Sequence, residues 1–213
     1  MVGINEELLG ITVKFLGITA SLVGISRYYR GIGRYYQGIG RNDMIYTSGK
    51  VFIYRSQIDE LLMSEYLDTN HVDIFGIFLV EKSQMCPGLY LPFLFVSSFH
   101  LTLLVGNLKT KVWDFYDSLP KKTHRAILPE VISHLYEDTI NSFDTDIRGW
   151  RIQKIKQAPT QKNSVDCGMY ICKYMEAAIQ PEAVVWTDVK DWQENMAKFR
   201  AEFAYAILST TIK

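Results

Sequence analysis

The stretch Gln161-Lys162-Asn163-Ser164-Val165-Asp166-Cys167-Gly168, followed at once by an apolar run to Ile179, decides how the rest of the chain is read. In that run Met169, Ile171, Cys172, Met175 and Ile179 are spaced as on a largely buried helix. A polar loop therefore delivers Cys167 to a helix N-terminus. A thiol with an ordinary pKa of about 8.5 is mostly protonated at neutral pH, and a helix N-terminus with a nearby imidazolium lowers that value. Gly168 lets the chain turn tightly beside the sulfur with no side chain in the way. Cys167 is the candidate nucleophile.

Working outward, a nucleophilic thiol needs a base, and the chain has 4 histidines. His124 and His134 lie before and in a surface-like helix, and His71 opens another. His100 differs, because it stands inside the apolar run from Tyr90 to Val105, where an uncompensated polar ring is costly. That run is rich in β-branched and aromatic residues with no helical period, so it reads as one buried strand. Gly106 to Lys109 then reads as a turn, and Val112 to Tyr116 as a second strand ending at Asp117. On adjacent antiparallel strands the Asp117 carboxylate can hold the far nitrogen of His100 and fix its tautomer. Asp114 is the rival, but alternation sends it to the opposite face, and the strand-end position favours Asp117. Attack on a carbonyl also needs donors for the oxyanion, which the Gln161 side-chain amide and the Cys167 backbone N–H can supply. Asp166 adjoins the nucleophile and is assigned a structural or substrate-side role.

The flanking elements make the class α+β. Val51 to Tyr54 reads as a short strand, Ser56 to Leu62 as a helix with a Ser N-cap, and Asn70 to Val80 as a second helix. Leu128 to Ile140 is amphipathic, Trp150 to Ile155 alternates as a strand does, and Trp192 to Leu208 carries Phe199, Phe203 and Ile207 four apart.

Composition narrows the function. Hydrophobic residues are 48% and charged residues 22%, the balance of a soluble globular domain. The 23 basic and 23 acidic residues cancel, which supplies no field for nucleic acid or an anionic membrane. Three cysteines suit neither a disulfide framework nor a four-ligand zinc site, and point to a reducing compartment. The N-terminal part is a repeat, with Gly-Ile pairs every seventh position from Gly3-Ile4 to Gly38-Ile39. A glycine costs about 1 kcal/mol in a helix interior, so this is a poor coiled coil. Lys14 and the glycines argue against a membrane span over Leu8 to Ile25. Residues 1–42 are expected to form a weakly helical or disordered extension without chemistry, and residues 43–213 the catalytic domain.

In order, His100, Asp117, Gln161 and Cys167 resemble the ubiquitin-like-protein-specific cysteine protease family, the SUMO or sentrin proteases and their deneddylating relatives. The likeness spans about residues 44–210. In that family a strand histidine precedes a strand ending in Asp-Ser, then a Gln-x-Asn-x-x-Asp-Cys-Gly loop. The segment Glu65 to Asp73 is similar to the family's Trp-Leu-Asn-Asp motif. Tyr66 stands where Trp is usual, and Leu101 replaces the Trp that commonly follows the histidine. In the family those rings flank the passage for a substrate's Gly-Gly tail, which makes Tyr66 and Leu101 candidate substrate-binding positions. The resemblance implies a papain-like fold with the permuted order His, Asp, Cys, and a central mixed sheet flanked by helices. It implies cleavage after the C-terminal Gly-Gly of a ubiquitin-like modifier such as SUMO, with that modifier and its conjugates as partners. No metal or organic cofactor is required. A nuclear address is the family's suggestion, with the cytoplasm as the other compartment. The replaced tryptophans leave a second reading, a module that binds a ubiquitin-like protein without cleaving it.

Overall fold

The structure, a computed structural model, describes residues 38–48, 51–85, 93–98, 102–138, 146–179 and 192–210. Its elements run β1 (Met44–Ser48), β2 (Val51–Tyr54), α1 (Arg55–Leu62), α2 (Thr69–Met85), β3 (Phe93–Ser98), β4 (Thr102–Asn107) and β5 (Val112–Asp117). Then follow α3 (Lys122–Ala126), α4 (Leu128–Asp138), a 3-10 turn at Ile147–Gly149, β6 (Arg151–Lys154), α5 (Cys167–Ile179) and α6 (Met196–Thr210). The Gly-Ile extension up to residue 37, with the Leu8 to Ile25 stretch, lies outside the described residues. Among the described residues no helix is long and apolar enough to cross a membrane.

The apolar run expected to be one strand from Tyr90 to Val105 is two. β3 and β4 pair antiparallel with Ser98 opposite Thr102, β4 pairs antiparallel with β5, and β6 joins β5 in parallel, giving a mixed sheet in the order β3-β4-β5-β6. The reversal left no mark in the sequence because β4 is an inner strand, buried from Thr102 to Gly106 on both faces, and such strands do not alternate. One face carries Leu103, Val105 and Tyr116 into a core shared with Ile58 of α1, Phe75 of α2, Ile171 of α5 and Phe203 of α6. The other carries Leu104, Trp113 and Phe115 against Leu128 and Ile132 of α4 and against Ile147.

Gly106, expected in a turn, is a β4 residue opposite Trp113, and a Cβ there would lie 2.7 Å from the indole ring. The reversal comes one residue later, where Asn107 Oδ1 accepts the N–H groups of Lys109 and Thr110 at 3.1 and 2.9 Å. Asn side chains make such turns locally, without help from the rest of the fold. α1 begins at Arg55 rather than at a Ser56 cap: Gln57 Oε1 reaches back to the Tyr54 N–H at 2.9 Å. α2 starts where Asp68 Oδ1 accepts the His71 N–H at 3.1 Å, and it runs five residues beyond the expected end at Val80.

Candidate active site

Cys167 is the first residue of α5 and is 1% exposed. Burial pushes its thiol up, while the backbone N–H groups of Gly168 and Cys167 and the Arg200 guanidinium pull it down. The helix N-terminus thus acts in the direction read from sequence, but against a desolvation cost the sequence did not display. Gly168 is needed for a further reason. A Cβ at that position would stand 2.6 Å from Leu67 Cβ, so α5 meets the segment before α2 at a distance only glycine permits. Next to buried Leu67, Tyr66 is 59% exposed. The position expected from the resemblance to carry an aromatic ring thereby adjoins a residue packed on the start of α5.

The loop before Cys167 is held by side chains. Asn163 Oδ1 accepts the N–H groups of Val165 and Asp166, and its Nδ2 donates to Asp166 Oδ2 at 2.6 Å. Gln193 Nε2 donates to the same oxygen at 2.6 Å while its Oε1 accepts the Lys162 N–H at 2.9 Å. Arg200 closes the other side, with Nε and Nη2 on Asp166 Oδ1 at 3.2 and 2.9 Å, Nη2 on Val165 O and Nη1 on Leu61 O. Asp166 is 3% exposed and carries hydrogen bonds on both oxygens, which supports the structural of the two roles expected for it: it orders the loop. Behind the loop, Tyr170 and Tyr174 donate to the Thr160 and Pro159 carbonyls, and burial holds both phenols protonated.

Gln161 joins this loop to the sheet. Its N–H donates to Ser118 O at 2.9 Å, immediately after Asp117. Its Nε2 donates to Asn163 O at 2.6 Å with one of two hydrogens, and its Oε1 is buried without a hydrogen-bond partner among the described residues. Asp117 ends β5 opposite Thr102, the first residue of β4. Two residues before Thr102 comes His100, which, with Leu101, lies outside the described residues. Asp114 is engaged elsewhere: it accepts from Gln153 of the neighbouring β6, and burial raises its carboxyl.

Two residues escaped the sequence reading. Arg200 lies on the buried stripe of α6 with Met196, Phe203, Ala204 and Ile207, and a charge on such a stripe is a legible signal. His124, placed at the surface from sequence, is turned inward: its Nδ1 stands 3.3 Å from each Asp117 carboxylate oxygen. Parity explains that contact. Asp117 shares the strand face of Trp113 and Phe115, the face covered by α4, and α3 immediately precedes α4.

Solved proteases share the architecture. The SUMO protease Ulp1 with its catalytic cysteine oxidized to a sulfenic acid matches over 93% of this chain and 99% of its own, with a TM-score of 0.61 at 15% identity. The C-terminal Ulp1 protease domain in complex with Smt3, the yeast ortholog of SUMO, matches over 88% and 96%, with a TM-score of 0.59 at 17% identity. At such identities the likeness establishes the fold, and the α+β architecture expected from sequence is the one found. Residues 84–212 match the model of the Ulp1 protease family, C-terminal catalytic domain, and the chain belongs to that family. It is 30% identical over 112 residues to a sentrin-specific protease of Caenorhabditis elegans, and 27% over 126 residues to ubiquitin-like-specific protease 1A of Arabidopsis thaliana. Those spans cover 52% and 58% of this chain but 15% and 23% of the relatives, so the chain spans less than a quarter of their length.

Proposed function

We propose that the chain is the catalytic part of a thiol protease that hydrolyses the amide or isopeptide bond after the C-terminal Gly-Gly of a ubiquitin-like modifier of the SUMO class. Cys167 is the nucleophile, His100 the base and Asp117 the group that orients His100. Gln161 and the Cys167 N–H are the oxyanion donors. The observation that carries the reading is Cys167 at the first residue of a buried helix, on a loop whose Gln161 N–H is bonded to the residue after Asp117, in a member of this family.

In this mechanism His100 takes the thiol proton and the sulfur attacks the glycine carbonyl carbon, moving an electron pair onto the oxygen. The tetrahedral intermediate collapses to a thioester, and the leaving amine receives the proton from His100. Water then gives a proton to His100 and attacks the thioester. The second collapse releases the modifier's carboxylate and returns the proton to sulfur. Tyr66 and Leu101 line the entry for the tail. Residues 43–213 carry the chemistry and residues 1–42 form an extension outside it. A free thiol nucleophile fits the reducing nucleus or cytoplasm.

The test is a panel of ubiquitin-like modifiers, SUMO included, each bearing a C-terminal electrophile, with Cys167→Ala as control. A covalent SUMO adduct that needs Cys167 supports the reading. Stoichiometric binding without an adduct replaces it with a non-catalytic modifier-binding module.

A further inference from the structure

An imidazole that the mechanism above does not use stands within reach of the Asp117 carboxylate. The Asp117 side chain is 2% exposed and accepts the Leu119 N–H at 3.1 Å, the ordinary contact of a turn. His124 Nδ1 adds an approach at 3.3 Å to both oxygens, with the ring only 17% exposed. From Lys121 to Ala126 every other residue is exposed, so α3 turns a single side chain inward, and that side chain meets this carboxylate. A helix with no packing residue of its own has no core reason to hold a histidine there.

We propose that His124 is a positioning residue: its Nδ1–H binds the Asp117 carboxylate, sharing the charge and fixing the orientation of the group that holds the base. The inference rests on the assignment of His100 and Asp117 above. A donor on a carboxylate withdraws charge from its other contacts, whether the donor is neutral or cationic. Asp117 freed of His124 therefore holds the His100 imidazolium more tightly, and His100 titrates at higher pH. Its carboxylate is also less well oriented, so turnover slows, while substrate affinity is expected to stay, because the role assigned to His124 acts through Asp117 alone.

Other charges leave that sign unchanged. Lys121, Lys122 and Arg125, beside His124 in sequence, are exposed. On α4, against which α3 packs, Glu130, His134 and Glu137 are exposed and pair with one another. From α5 the group that feels Asp117 is Tyr174, which burial keeps neutral.

Two variants of the full chain separate this role from packing. His124→Asn places an amide where Nδ1 was, and His124→Gln places it where Nε2 was, away from the carboxylate. The readouts are kcat and KM on SUMO carrying a C-terminal aminocoumarin, and the His100 titration by ring NMR, assignable because the chain has 4 histidines. His124→Gln is expected to lower kcat about three- to tenfold at unchanged KM and to raise the His100 midpoint by about half a pH unit, with His124→Asn near the parent in both. An unmoved His100 midpoint in the Gln variant, or equal losses in both variants, overturns the inference. Asp117→Asn is the control. Should it leave the His100 titration and kcat intact, the triad reading itself has failed, and the inference with it. Should it alter both while His124→Gln alters neither, only the inference has failed.

Discussion

The two ends of the candidate site are built on opposite plans. The loop before Cys167 is locked by buried, charge-assisted hydrogen bonds, in which Arg200 at 1% exposure grips Asp166, Val165 and Leu61 from a helix distant in sequence. Around the Asp117 carboxylate the contacts among the described residues are one backbone N–H and one part-exposed imidazole, both within seven residues. The first arrangement is costly to break, because a carboxylate stripped of its guanidinium stays buried and unpaired. The second is cheaper to break, because a part-exposed pair contributes little. The two ends can therefore be altered separately.

The largest test of that contrast is Arg200→Met. It should destabilise the fold by about 3–5 kcal/mol through the orphaned Asp166, and chemical denaturation reads it. His124→Gln, the matching deletion at the other end, should cost under about 1 kcal/mol in the same measurement. Equal losses at the two ends would erase the distinction drawn here.

Next in size is Gly168→Ala, whose methyl must displace Leu67. A loss of about 1–3 kcal/mol is expected, together with slower alkylation of Cys167 by iodoacetamide as the helix start shifts. Thermal melting and the alkylation rate check both parts. Gly106→Ala, crowded against Trp113 on the far face, should cost similar stability without slowing alkylation.

The smallest effect is Asp114→Asn. Burial raises the folded-state pKa of Asp114 above its ordinary 3.8, so the folded protein holds this proton more tightly than the unfolded chain. Ionisation therefore costs stability above that folded-state pKa, and the cost vanishes below the unfolded value. The Asn variant should melt slightly higher than the parent at pH 7 and no higher at pH 3.

Legibility followed the range of the interactions. The Cys167 loop, α5 and the strand ending at Asp117 were readable because turn residues, helical spacing and strand composition act between near neighbours. The strand from Tyr90 to Val105 was misread because both of its halves are apolar, and only sheet pairing separates them. For Asp166 the sequence leaves a structural and a substrate-side role open. Two of its partners, Gln193 and Arg200, come from 27 and 34 residues away, so local sequence cannot choose between them.

What sequence alone determined was the chemistry on offer: a cysteine entering a buried helix behind a Gln-Asn-Asp loop, with one histidine in an apolar run ahead of an Asp-Ser strand end. Tertiary structure decided which charges meet. Arg200 reaches Leu61 across 139 residues, and the side of the sheet on which Asp117 emerges brings His124 to it. Local patterns specify elements, but a buried charge finds its partner only where packed faces exclude water, and those faces exist only once the sheet is assembled.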